Sequence, residues 1–428
     1  MADGETQLGA FSPLRQREYR RIWSASLLSN LAQHVQAVCV AWMMVQLTTD
    51  FAMVSLVQTA MMLPHVVLAL PAGAISDAFD RRKIALAALG WTVVSAIALA
   101  TLTLADLMTP TVLLLCCLSV GAGLALFVPA WQTSISELVG HHSMAPAITL
   151  NSLSMNAART VGPAVGGLVV AAASAPVGFI VNAVLYLPMI AALALWRRTP
   201  LQPRRSFEPI HRAVASGIRF ASQSGPIRLV LARAFVLAFG IGVQTGLMPV
   251  IARNVLAGNA MMLGLLLAAF GLGAVSSAFA SSWSNQRSGR NRVINVVSFA
   301  QAAALVLIGV SETLLLSLLA AAISGACWMM LSTFYNVTLQ RSAPRWVVGR
   351  VVAMFQAVLA IGWSLGAALA GWTAVHVGVG AALEIAGGLI FVALIALPSA
   401  PKLPDIPKDW ENGLEDGSGV ISDVGPVL

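Results

Sequence analysis

Hydrophobic residues along this chain gather into twelve long runs, separated by short polar or basic stretches. The runs cover approximately 22–46, 53–76, 84–105, 111–134, 146–172, 175–196, 228–251, 259–281, 293–311, 313–336, 347–374 and 378–397. About 20 mostly apolar residues suffice for a helix to cross the hydrocarbon core of a bilayer, and the runs match that length. Helix follows rather than strand, because an open sheet edge cannot face lipid. The pattern predicts an all-α membrane protein with twelve transmembrane helices.

Composition agrees. The 428 residues are 58% apolar and 10% charged, whereas soluble domains carry roughly 25% charged residues. A single water-soluble core is excluded. The net charge of +8 would suit nucleic acid if the bases formed one patch, but they fall between the runs and speak to topology instead. Arg and Lys occur at 15, 17, 20, 21 and 81–83, from Arg197 to Arg233, at 287, 290 and 292, at 341, 345 and 350, and at Lys402 and Lys408. Alternating runs put all of these on one side and leave only Arg253 on the other. Bases stay in the cytoplasm, so both termini are expected there. The loop after the fourth run holds Glu137, His141 and His142 without a base, and alternation alone places it.

Chain order predicts five parts. Residues 1–21 form a cytoplasmic segment without the features of a cleavable signal peptide. Residues 22–196 form a first six-helix bundle, and 228–397 a second. The linker 197–227 carries Ile210, Val214, Ile218 and Ala221 at helical spacing beside Arg212 and Arg219, which predicts an amphipathic helix on the membrane face. Residues 398–428, rich in proline, acid and glycine, are expected to be a disordered tail. Cys39, Cys116, Cys117 and Cys327 all lie in apolar runs without metal-site spacing, and read as small buried hydrophobes.

Two stretches echo across the halves. Gly73-xxx-Asp77 is matched by Gly273-xxx-Ser277, and Gly162-Pro-Ala-Val-Gly166-Gly167 by Gly366-Ala-Ala-Leu-Ala370-Gly371, at offsets of 200 and 204 residues. A six-span internal repeat is a transporter signature, with the substrate path between the repeats. The stretch Gly73-Ala-Ile-Ser-Asp77-Ala-Phe-Asp80-Arg81-Arg82-Lys83 places an acid and three bases at one membrane boundary, since charge at mid-bilayer is costly.

These residues resemble the major facilitator superfamily over about Phe11 to Leu397. The Gly73–Lys83 stretch is similar to its signature between helices two and three, and Gly162 to Gly167 to the second part of an antiporter signature in helix five. Pro129-Ala-Trp131-Gln132, Glu137-Leu-Val, and Leu150-Asn151-Ser152 leading to Ala158-Arg159-Thr-Val-Gly162-Pro163 resemble the branch of enterobactin exporters and macrolide efflux proteins. The chain departs from the superfamily pattern at Thr149 and Ala158, where glycines are usual. Cys117 replaces an arginine upstream of Gly121, and Ser277 replaces the second gate acid.

The resemblance implies a monomeric exporter in a bacterial cytoplasmic membrane. It would move an amphiphilic small molecule, a siderophore or a drug, against a coupling proton. Gly73, Asp77, Arg81, Arg82 and Glu137 are the gating candidates. Asp77 would face the start of run eleven, near Pro344 to Val348, and Arg81 would bridge Asp77 to Glu137 when the cytoplasmic side shuts. Gly162, Pro163, Gly166 and Gly167 are the packing candidates. The substrate or proton path is expected among Asn30, Gln33, His34, Gln36, Gln58, Arg159, Gln244 and Trp363. An interhelical hydrogen bond is the competing role for each polar member. Arg159, read as the only base well inside a span, needs a carboxylate, backbone carbonyls or an anionic substrate. No ATP-binding loop, nucleophile–base pair or cofactor site stands out, so an importer of the same fold and a non-transporting membrane sensor remain the alternatives to an exporter.

Overall fold

The computed structural model describes residues 11–139, 143–196, 219, 221–284, 290–343 and 348–397. Most of the expected amphipathic linker helix, apart from Arg219 and Ala221, lies outside the described residues, as do the proline-rich tail, His141, His142 and residues 344–347. So do the side chain of Asp77 and the surroundings of Gly73, although both positions are helical.

Among the described residues, twelve long α-helices follow a short 3-10 turn at Ser12–Arg15. They are α1 (Arg17–Leu47), α2 (Phe51–Ala78), α3 (Arg81–Leu104), α4 (Pro110–Leu138), α5 (Met144–Ala172) and α6 (Ala175–Ala194), then α7 (Gly225–Val250), α8 (Ala260–Ser284), α9 (Arg290–Val310), α10 (Leu314–Ser342), α11 (Val348–Val377) and α12 (Val379–Ala396). Ten of them are long and apolar enough to cross a membrane. The other two are α1, which holds Asn30, Gln33, His34 and Gln36, and α5, which holds Asn151, Asn156 and Arg159. These two polar helices pack on one another.

Local chemistry sets several starts. Asp50 caps α2 by accepting from Ala52 N, and Thr109 caps α4 through Val112 N, with Pro110 next in the chain. Asp80 caps α3 by accepting from Arg82 N and Lys83 N. Each side-chain oxygen satisfies amides that the helix leaves unpaired.

Packing repeats across the chain. In the first half α1 lies against α5 and α6, α2 against α4, and α3 against α4 and α6. The second half pairs α7 with α11 and α12, α8 with α10, and α9 with α10 and α12. Every pairing is kept when six is added to the helix number. The halves meet through α2 with α11 and α5 with α8, and these two seams exchange under the same operation.

Glycine contacts fix the register. A Cβ at Gly162 would lie 2.5 Å from His34 Cβ, and one at Gly166 would lie 3.0 Å from Val35 Cα. Gly362 and Gly366 press in the same way on Phe235 O and Phe239 O of α7. The internal contacts of the halves therefore correspond at 200 residues. This corrects the alignment of Gly162 with Gly366. The 204-residue offset survives for Gly167 and Gly371, which face the opposite half.

Candidate functional site

The odd-numbered helices begin, and the even-numbered ones end, at the face where Arg17, Arg81, Arg292 and Arg350 cluster. This face is the basic end. Contacts between halves crowd toward the other end. Thr59 Oγ1 donates to Ser364 O at 3.0 Å, and Gly371 N donates to Ser55 Oγ at 3.1 Å. Gly264 and Gly167 touch, since a Cβ on Gly264 would lie 2.5 Å from Pro163 O and 3.0 Å from Gly167 Cα. The Arg253 guanidinium donates to Val45 O near the end of α1. In keeping with this closure, α1 is buried continuously from Val38 to Val45, and α7 from Gly240 to Val250.

Toward the basic end the close approaches between α5 and α8 run as far as Arg159, whose carbonyl oxygen would lie 2.6 Å from a Cβ on Gly271. Below that level α5 exposes Ile148, Ser152 and Met155. With Arg159 they form a stripe at spacings of four, three and four, one face of a helix. That stripe lies between the α5 faces turned to α1 (Leu150, Ser154, Gly162) and to α8 (Pro163, Gly167). We read this uncovered stripe as one wall of a cleft between the halves, closed at the end where the described contacts crowd.

The sequence candidates divide around this cleft. Asn30 Nδ2 donates to Ser154 Oγ at 3.0 Å, and Trp23 Nε1 to Leu150 O at 2.9 Å, so this side of α1 is bonded to α5. His34 packs on Gly162 and is within electrostatic reach of Arg159, while Gln33 stays partly exposed. Gln36, at 1% exposure, is enclosed in the first half, and its amide has no partner among the described residues. Gln58 is half-buried next to the Thr59 contact.

In the second half Gln301 Nε2 donates to Ser324 Oγ at 2.8 Å, and Ser324 Oγ donates to Gln244 Oε1 at 2.5 Å. Gln244 is fully buried in this chain, so a hydrogen bond within one half is its observed role. Trp363 is half-buried and stands edge-on to Trp328, with ring centroids 5.3 Å apart.

The charged motif is a scaffold in this arrangement. Arg81 Nη1 meets Glu137 Oε1 at 2.9 Å, with Glu137 only 4% exposed. Both belong to the first half, so this arm of the expected bridge is a contact within one half. The other arm, to Asp77, lies outside the described side chains. Arg82 sends Nε to Leu193 O at 2.7 Å and Nη2 to Ala194 O at 2.5 Å. It thus satisfies orphan carbonyls at the end of α6.

Three arginine roles escape the sequence reading. Arg233 lies well inside α7 at 6% exposure and donates through Nη2 to Leu397 O at 2.5 Å, at the end of α12. Arg159 is therefore not the only base inside a span. Arg82 and Arg233 each finish the last helix of their half. Arg253 finishes α1 across the halves. Helix ends that lack capping glycine give the only sequence signal for such partners.

The residues that carried the branch resemblance also meet. Trp131 Nε1 donates to Asn151 Oδ1 at 3.2 Å, joining α4 to α5.

Comparison with known proteins extends over nearly the whole chain. A family model described as "Transmembrane secretion effector" matches residues 8–414. The chain is 26% identical over 397 residues to the multidrug efflux pump Tap of Mycolicibacterium fortuitum, covering 89% of this chain and 95% of that one. It is 25% identical over 332 residues to the enterobactin exporter EntS of Citrobacter koseri, covering 76% and 78%. A crystal structure of the nucleoside transporter NupG superposes with a TM-score of 0.71 at 12% identity, covering 89% of this chain and 98% of that one. That last likeness speaks to fold alone.

Proposed function

Because this chain belongs to the transmembrane secretion effector family of major facilitator transporters, we propose that it exports an amphiphilic small molecule by alternating access, with a proton moving inward. The observation that carries this reading is that, among the described residues, the contacts between the two repeat-related halves crowd toward the end opposite the bases. By the positive-inside rule the basic end is cytoplasmic. The arrangement is then inward-open, ready to load from the cytoplasm, in a multi-pass monomer of a bacterial cytoplasmic membrane. The efflux and siderophore-export roles named for the two relatives favour export over import.

Alternating access needs contacts that exist in one state only, since a contact made equally in both biases nothing. The Thr59–Ser364, Ser55–Gly371 and Arg253–Val45 contacts belong to the inward-open state. Asp77, one residue from the end of α2, is assigned the reciprocal task of holding the basic end shut against the start of α11. Arg81, Arg82 and Glu137 fix the α3, α4 and α6 ends around it. A carboxylate at a helix N-terminus gains about 0.3–1 kcal/mol, more when partly buried.

The test uses everted membrane vesicles, a panel of siderophores and lipophilic drugs, and an imposed pH gradient. Uphill uptake that collapses with the gradient is expected, and Asp77→Asn should lower it several-fold at unchanged membrane insertion. Saturable binding without flux would point to a sensor instead, and a well-inserted Asp77→Asn with normal rates would remove the gate role.

A further inference from the structure

Arg159 has no carboxylate to pair with among the described residues. Only four acids lie within the twelve helices: Glu18, Asp77, Glu137 and Glu384. Glu18 starts α1, Asp77 and Glu137 end α2 and α4, and all three belong to the basic end. Glu384 is exposed in the first turns of α12, at the opposite end. Arg159 is 15 residues into α5, which at 1.5 Å per residue sets it about 22 Å from the basic end. That exceeds the reach of its side chain toward any of the three. The described residues show no ion pair to it, and the ionisable side chain within its electrostatic reach is His34, not an acid.

The surroundings add a contrast between the walls. On the first half, Arg159 is within electrostatic reach of His34, and Gln33, next to His34 in the chain, is partly exposed. On the second half the position that corresponds to Arg159 in the 200-residue register is Leu359, one turn from Trp363. The α7 backbone that packs on α11 belongs to Phe235 and Phe239, whose rings are 6.4 Å apart and half-buried. One wall offers a guanidinium and polar side chains, the other apolar and aromatic side chains.

We infer that the cleft is selective for amphiphilic organic anions, with the acid group of the substrate seated on Arg159 and its apolar body against the α7–α11 wall. A planar guanidinium can hold a carboxylate through two parallel hydrogen bonds, and such a partner supplies the counter-charge that the helices lack. This inference rests on the reading of the cleft as the substrate path.

Its test is a matched series on one ring system: 1-naphthylacetate, the neutral 1-naphthylacetamide and the cationic 2-(1-naphthyl)ethylammonium, titrated calorimetrically into the purified full-length protein. The anion should bind at least about tenfold more tightly than the other two, a difference of roughly 1.4 kcal/mol. Arg159→Gln should erase that preference, so that anion and amide bind alike in the variant, and Arg159→Lys should keep part of it. An unchanged thermal unfolding midpoint shows that the variant is folded. Equal binding of the three, a preference for the cation, a preference that survives Arg159→Gln, or no saturable binding of any would each overturn the inference. Gradient-driven flux of neutral or cationic compounds in the everted vesicles would then leave the transport reading standing without it. Absence of all flux would remove both.

Discussion

Replacing Gly264 with alanine should push the two halves apart at the end opposite the basic face. The new Cβ would lie 2.5 Å from Pro163 O, 3.0 Å from Gly167 Cα and 3.2 Å from Gly167 N, all backbone of α5. Ordinary contact begins near 3.4 Å, so the seam must open by about 1 Å or the helices must slide. Overpacking of this kind costs about 1–3 kcal/mol. The cost falls only on the state in which α5 and α8 touch here. It therefore transfers to the equilibrium between states, a change of roughly 5- to 150-fold. The substitution also gains up to about 1 kcal/mol of helix propensity, in both states alike, so the fold should not suffer. Spin labels at Asp106→Cys in the α3–α4 loop and Glu312→Cys in the α9–α10 loop, with the native cysteines replaced by alanine, would read the separation of the halves at that end. A new population at longer distance is expected in Gly264→Ala. An unchanged distance distribution in a folded protein would refute the argument that this seam decides between states.

Two further substitutions separate contacts between the halves from contacts within one. Arg253→Gln removes the tie to Val45 O, a charge-assisted bond at a partly exposed site worth about 1 kcal/mol after solvent screening, and should lengthen the same spin-label distance to a lesser degree. Arg81→Met or Glu137→Gln alone should lower thermal stability in detergent by about 1–3 kcal/mol, because each removes one side of a charge pair whose acid is buried. The double substitution should recover much of the loss. A double variant as unstable as the sum of the singles would show that the pair is not coupled.

The helix count and the repeat were legible because a bilayer leaves few solutions to a run of apolar residues. The twelve runs and the twelve helices agree to within a few residues at most ends, and the largest differences occur where polar residues extend a helix, at the start of α1 (Arg17) and the end of α10 (Ser342). Of the packing candidates, Gly166 and Gly167 meet the backbone of α1 and α8 and Gly162 meets His34 Cβ, whereas the sequence does not single out Gly264, on the other side of the Gly167 contact. What the sequence could not reveal was which carbonyl a basic side chain would reach. Arg82, Arg233 and Arg253 look like topology signals in one dimension, and their acceptors at Ala194, Leu397 and Val45 lie 112, 164 and 208 residues away. Nor could it separate a polar residue facing the cleft from one satisfied within its own half. Gln33 and Gln244 have the same side chain in helices that correspond, and only the Ser324–Gln301 chain distinguishes them.

The repeat also explains why charge is so unevenly shared. A pseudo-symmetric scaffold constrains backbone packing, and the small residues that allow it recur at 200-residue spacing on α5 and α11. Side chains that face the cleft are under no such constraint. At the 200-residue spacing Arg159 corresponds to Leu359. Had both halves kept an arginine at this level, two cations would confront each other across a narrow cleft, and each would raise the cost of the other. Had neither, the cleft would be apolar throughout and would bind by area alone, with little discrimination by charge. One arginine on one wall gives a ligand a defined orientation, acid toward the first half and hydrocarbon toward the second. A rocking motion that carries the halves past each other then changes the environment of the two ends of the ligand differently, which is the differential affinity between states that any ligand-driven shift requires.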